Sequence, residues 1–463
     1  MNSWTSRHAP KRAALILTAV VHAGLSACTG FSQDGGFTPV SAAARSRLDK
    51  DVYWPRNDAE SAKSSAAVAQ LLSRPLGPED AVQVALLNNQ ELRASFQDLK
   101  ISEADLVQAG RLANPRFDFS HASADGQVDI VETLSFNVLS LLSIPYARDV
   151  EKQRFAQTQT AVFLGVAQLA EQSREAYFNA VAAGQSLAYR QQVGAAAEAG
   201  SVLAQRMRTA GNWNGIEQAR EQVFYADATR ALTTAQLQEA AAREKLKSLL
   251  GLSEAADPAA ALQLAATLPE LPASMDELPD VERTVLQNRI DLQMMHQNID
   301  ALARRLKLVR ATRFVNVLEL GPSWVKQGPS SAPHERGYAI TLEVPIFDDG
   351  SARLKKSEAL YLQAVQRFAQ AAIVARSQVR QAYAAYRASF ELAQQQRDVV
   401  LPLRKSMSEE NLLRYNASLI SIFELLADAR AQVASVDDYI ADLRDFWLAK
   451  SRLDAALLGS STL

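Results

Sequence analysis

From Tyr146 to Ala210 the chain runs without a proline, and Val162, Val166, Leu169, Ala176, Ala180, Ala183 and Leu187 return at the alternating spacing of a packed helix. At about 1.5 Å per residue such a helix is on the order of 100 Å long, beyond what an ordinary globular domain encloses. Gly211-Asn212-Trp213-Asn214-Gly215 reads as a turn. A return helix is predicted from Ile216 to Leu250, stopped by Gly251.

Upstream, Ala81, Val82, Val84, Ala85, Leu92, Phe96, Leu99 and Leu106 recur at helical spacing until Asn114-Pro115. Phe117 and Phe119 then alternate with polar residues. After Ala124-Asp125-Gly126 the same period of two continues through Val128, Ile130, Leu134, Phe136 and Val138, which predicts a strand hairpin. The second half repeats this order. Asn288, Asp291 and Leu292 stand 200 positions after Asn88, Glu91 and Leu92, in a helix predicted over 280–312. A second hairpin is expected over 314–325 and 338–347, and a second long helix from Ser351. Arg380-Gln381-Ala382-Tyr383 echoes Arg174-Glu175-Ala176-Tyr177, and a turn near Asn416–Leu419 leads to a last helix ending at Leu457-Leu458-Gly459.

Two hairpins supply four strands, whereas a closed membrane barrel needs at least about eight, because an open edge is not satisfied in lipid. Closure by three copies gives twelve strands and twelve long helical staves. The expected fold is therefore mainly α with membrane β: two repeats of long coiled-coil helices plus four strands, trimerising into a 12-stranded β-barrel continuous with an α-helical barrel. Little periodicity is visible before residue 78. The predicted organisation is 1–27 a signal peptide, 28–77 a lipid-anchored tether, 78–256 the first repeat, 257–279 a Pro-rich linker and 280–459 the second repeat.

Arg7, Lys11 and Arg12 precede the apolar run Ala13 to Val21, an export-signal pattern. Leu25-Ser26-Ala27-Cys28 resembles the lipobox of bacterial lipoproteins, and Cys28 is the single cysteine of the chain. That resemblance implies cleavage before Cys28, its acylation with diacylglycerol and palmitate-type chains, and an anchor in outer-membrane lipid.

Asp80-Ala81-Val82 leading to Asn88-Asn89-Gln90-Glu91-Leu92, Leu342-Glu343-Val344-Pro345-Ile346-Phe347-Asp348-Asp349-Gly350 before the second long helix, and Arg414-Tyr415 at the second turn occur in the order found in the TolC-like outer-membrane efflux family. The sequence resembles that family over residues 78–459. The resemblance implies a homotrimer in the outer membrane whose helical tube projects through the periplasm to a periplasmic adaptor (membrane fusion) protein and an inner-membrane efflux pump. It implies adaptor contacts at Gly211, Trp213, Asn214, Asn416, Ser418 and Ser421, with Ser418 replacing a common glycine. It also implies a pore gate near Glu424, with Asp428 close to the second gate position. Glu217 is the first-repeat counterpart of Glu424. Trp213 is open to two readings, an adaptor anchor or a local packing group.

With Lys+Arg 49 against Asp+Glu 51 the chain has no basic excess to hold nucleic acid. There is no GxxxxGK[ST] loop, GxSxG elbow, HExxH pair or Cys/His cluster, so no enzymatic activity, cofactor or metal site is expected. Met294-Met295-His296 reads as part of a packed helix. The competing readings are a non-channel coiled-coil lipoprotein scaffold of the outer membrane and a periplasmic enzyme.

Overall fold

The computed structural model describes residues 30–252, 262–277, 289–314 and 317–460. The signal peptide and Cys28 lie outside them, as does Asn288. The elements are α1 (Thr38–Leu48), α2 (Asp58–Leu72), α3 (Pro78–Asn88), α4 (Gln90–Ala109), β1 (Arg116–Ala124), β2 (Gln127–Asn137), α5 (Val138–Thr209), α6 (Gly215–Leu249), α7 (Ile290–Ala311), β3 (Leu318–Pro329), β4 (Glu335–Leu342), α8 (Ser351–Gln395), a π turn (Gln396–Val400), α9 (Leu401–Asn416) and α10 (Ile422–Leu458). Two compact units emerge. One combines the described residues up to Thr38 with Gln97–Thr160 and Met294–Ala369; the other combines Pro39–Phe96, Ala161–Gln293 and the described residues from Gln370 onward. Among the described residues no helix is long and apolar enough to cross a membrane.

In the first unit the strands form one antiparallel sheet in the order β1-β2-β3-β4. The hairpins of the two repeats are thus joined through β2 and β3. Register sorts the side chains by face: Phe117 pairs with Leu134, and Phe136 with Leu320, which pairs in turn with Ile340. The other face carries Asp118, Thr133 and Ser323, and the two hydroxyls of Thr133 and Ser323 meet at 3.2 Å. Glu132 interrupts the apolar face at the middle of β2, and Lys326 and Arg336 interrupt it nearer the hairpin end.

The second hairpin is displaced from its expected bounds. β4 ends at Leu342, with one further bond from the Glu343 amide to the Val317 carbonyl at 3.2 Å, shortly before Pro345, which has no N–H to give to a ladder. Asp349 accepts a hydrogen bond from the Ser351 amide at 3.0 Å and starts α8, while Arg313 pairs with the Asp349 carboxylate. The first long helix begins earlier than expected, at Val138, because the Asn137 side chain accepts the Ser140 amide at 2.8 Å. Pro145 sits inside the helix.

In the second unit Tyr177, Tyr386 and Phe446 are buried, with Phe446 5.6 Å from Tyr386 and 5.8 Å from Phe390 between ring centroids. The Tyr177 hydroxyl donates to the Leu76 carbonyl at 2.9 Å. Each repeat seals its own return helix. Asn88 donates to the carbonyls of Leu250 and Gly251 at 3.0 and 2.8 Å, and Arg289 donates to that of Ala456 at 3.0 Å. Gly251 is required there: its φ is +66°, and a Cβ would lie 2.6 Å from the Asn88 oxygen.

Two segments in which the sequence shows little periodicity carry ordered structure. The segment read as a tether contains α1 and α2. Their apolar faces are narrow, with only Val40 and Ala44 buried on α1, so little periodicity reaches the sequence. The described part of the linker, 262–277, is a strap pinned by long side chains. Arg243 donates to the Leu262 carbonyl at 2.8 Å, Trp447 to that of Pro269 at 3.0 Å and Arg397 to that of Leu271 at 3.1 Å. Leu262, Leu268 and Leu271 are buried beneath it.

The second long helix also differs from the first. Arg174 and Arg380 are 206 positions apart, but Glu217 and Glu424 are 207 apart, so the second repeat carries one extra residue between these points. The π turn at Gln396–Val400 absorbs it, with the Leu401 amide reaching back to the Gln396 carbonyl. Pro402 follows at once; it lacks an N–H, and the widened turn makes room for its ring.

Candidate functional site

The two turns share one backbone plan. In the first, the Asn212 amide reaches the Met207 carbonyl at 2.9 Å, Gly211 has φ +79°, and Asn214 caps α6 through the amides of Ile216 and Glu217 at 2.9 and 3.0 Å. In the second, the Leu419 amide reaches the Arg414 carbonyl at 2.8 Å, Ser418 has φ +60°, and Ser421 caps α10 through the Glu424 amide at 3.3 Å. Residues with these roles are 207 positions apart throughout. The physical logic is one of paired stops: a left-handed residue ends the outgoing helix, and a polar cap three residues later opens the return helix.

Gly211, Asn214, Asn416, Ser418 and Ser421 are exposed. Trp213 is half-buried, with its ring 5.2 Å from that of Phe423, so the two turns share an aromatic contact. The two repeat-equivalent glutamates differ. Glu217 Oε2 accepts the Asn214 amide at 2.7 Å and closes a reciprocal capping box. Glu424 is exposed, and no side-chain hydrogen bond or ion pair of its carboxylate is found among the described residues. Asp428 is buried, 8% exposed, and its Oδ2 has no hydrogen-bond partner among the described residues.

One ion pair was not anticipated. Glu221 on α6 is 3% exposed and accepts from Arg430 Nη2 on α10 at 2.6 Å, while the Arg430 guanidinium lies over the Phe224 ring at 4.5 Å. The signal was present in the repeat: Glu221 corresponds to Asp428, four residues after Glu217 and Glu424 in turn. A cluster of Val193, Ala197 and Ala228, with Phe224 and Val433 against it, surrounds this pair with apolar side chains. Further along, Arg190 pairs with Asp437.

No group of His, Cys, Asp or Glu suited to a metal ion occurs among the described residues. His296, expected in a packed helix, is exposed on α7 with Nδ1 3.6 Å from Asp300. Its ring meets that of Phe368 edge-on at 6.2 Å between centroids, while Ile290, Leu292 and Ala301 are the apolar residues of α7 that are buried.

Neither a protein-family model nor a curated relative matches the sequence. Solved structures do match. The Campylobacter jejuni CmeC outer-membrane channel aligns with a TM-score of 0.70 at 14% identity, covering 83% of this chain and 85% of that one. CusC, described as forming a transmembrane channel, aligns at 0.64 and 18%, covering 85% and 92%. The Neisseria gonorrhoeae MtrE outer-membrane channel aligns at 0.64 and 16%, covering 82% and 89%. The chain therefore has the fold of these outer-membrane channels, the TolC-like fold that its sequence resembles.

Proposed function

We propose that three copies of this chain form an outer-membrane channel, the passive exit duct of a tripartite efflux or export system with a periplasmic adaptor and an inner-membrane pump. The observation that carries this reading is the sheet. One face is apolar, with Phe117, Phe119, Tyr338 and Ile340 exposed on its edge strands β1 and β4, and the opposite face is polar. Among the described residues neither edge has a further partner strand. Such a sheet is stable in lipid only when its edges pair, and three copies close a barrel of twelve strands with apolar side chains outward. The turns then lie at the periplasmic end, where Gly211, Trp213, Asn214, Asn416, Ser418 and Ser421 meet the adaptor, and Glu424 narrows the mouth.

The test is the mass of the purified complex in detergent together with single-channel recording in planar bilayers. A trimer with discrete conductance supports the duct; a non-conducting oligomer supports the coiled-coil scaffold instead. Crosslinkers belong at Asn212 and Leu419, which are exposed and leave the caps Asn214 and Ser421 intact, and they should capture a periplasmic partner. The anchor at Cys28 predicts palmitate labelling that is lost in Cys28→Ser. Labelling that survives that substitution removes the anchor from the proposal without touching the barrel.

A further inference from the structure

Below the sheet, in the first unit, an apolar band is followed by cations. Leu141, Leu142 and Tyr146 are exposed at the start of α5, and Val344, Ile346 and Phe347 are exposed before α8, with Phe347 fully so at 102%. Leu141 and Phe347 are 206 positions apart and so correspond in the two repeats. Within two further turns stand Arg148, Lys152, Arg305, Lys307, Lys355 and Lys356, all exposed, and none has an ion-pair partner among the described residues. Helix α7 stands against both long helices: Arg304, beside Arg305, bonds Asp149 at 2.7 Å, and Arg310 bonds Glu358 at 3.3 Å. The two bonds are six residues apart on α7, so the cations spread over about 9 Å along the helices. In a chain of net charge -2 this is a local excess of base beside an apolar surface.

A second observation sets the same level independently. The Ser32 amide donates to Glu103 at 2.6 Å, and Gln159 donates to the Gly36 carbonyl at 3.0 Å. Glu103 follows Ser102, whose hydroxyl meets that of Thr158 at 3.2 Å. The segment Ser32–Gly36 is thus held near Thr158, about 30 Å along α5 from Val138. Four residues separate Ser32 from Cys28 and span at most about 14 Å, enough to reach the level of Arg148 but not the strand ends.

We propose that this collar is a phospholipid-binding surface: the bilayer boundary crosses the first turns of α5 at Tyr146–Arg148, the apolar band lies among acyl chains, and the cations bind the phosphates of anionic phospholipid. This rests on the barrel reading above. Aromatic groups at the headgroup level and basic side chains just beyond it are the arrangement an anionic interface favours. The first turns of α5 tolerate this depth because a helix satisfies its own backbone.

The test uses the full-length protein reconstituted with phosphatidylglycerol and phosphatidylcholine, then released for native mass spectrometry of the retained lipid. Wild type should retain phosphatidylglycerol preferentially, and Arg148→Gln/Lys152→Gln/Lys355→Gln/Lys356→Gln should lose about threefold or more of that preference. Carbonate-resistant flotation with vesicles should be unchanged in the variant. Equal retention of both lipids by wild type, or an undiminished preference in the variant, overturns the collar. Loss of the preference to inorganic phosphate at matched ionic strength assigns the cations to soluble phosphate and overturns it as well. Failure of the wild type to float overturns the barrel reading itself, a different result from flotation without lipid preference. In a Cys28→Ser background, a fluorophore at Leu142→Cys should be quenched by brominated acyl chains and one at Arg154→Cys should not. Equal quenching at the two sites overturns the placement of the boundary.

Discussion

Glu221 and Arg430 join the return helices of the two repeats, α6 and α10, through a 2.6 Å ion pair whose carboxylate is almost wholly buried. Removing one partner of such a pair strands a charge away from water, whereas removing both leaves only a gap in packing. Arg430→Met should therefore lower stability by about 2–4 kcal/mol, discounted from the fully buried case because the arginine is partly exposed. Glu221→Gln/Arg430→Met should cost less than the single arginine change. Thermal unfolding followed by circular dichroism around this double-mutant cycle checks the order.

Ser418 occupies a left-handed conformation at φ +60° where the equivalent residue of the first turn is Gly211. A Cβ is strained there, so Ser418→Gly should stabilise the protein by about 0.5–1 kcal/mol, and Gly211→Ser should cost a similar amount. Opposite shifts of the unfolding midpoint are the expected result. Equal shifts would mean that partner contacts, rather than backbone strain, dominate at the turns.

Burial, reinforced by the neighbouring Glu175 charge, pushes the Glu171 carboxyl from about 4.5 up to about 7. Between these values the folded protein holds a proton that the unfolded chain has released. Stability should thus fall as pH rises from about 4.5 through about 7, the loss being complete above the folded value. Glu171→Gln should flatten this slope, which a series of melts across that range would show.

Glu217 is tied into a capping box, and Glu424 is not. Glu217→Ala should therefore cost about 0.5–1 kcal/mol of helix stability and leave ion selectivity unchanged. Glu424→Ala in a reconstituted trimer should weaken cation preference and block by divalent cations from the periplasmic side. Unchanged selectivity in the second variant would reduce Glu424 to a residue of the helix end.

The period of two in the hairpins, the long proline-free helix and the turns at 211–215 and 416–419 were legible in the sequence because each depends on neighbours a few positions apart, and the doubling of the whole unit was legible because the same local patterns return in the same order. What tertiary structure decided involves partners far apart in the chain. The pairing of β2 with β3 joins the repeats into one sheet, and nothing local specifies that choice. The strap at 262–277 reads as a loose linker until Arg243, Arg397 and Trp447 are seen to satisfy its carbonyls from other helices. Asp428 stands close to a gate position in the sequence, yet packing removes it from water. The offset of 206 that becomes 207 is visible in the letters alone, but only the backbone shows where the extra residue goes. A π turn costs the helix a regular hydrogen bond, and it forms just before Pro402, where a regular bond was already forfeited.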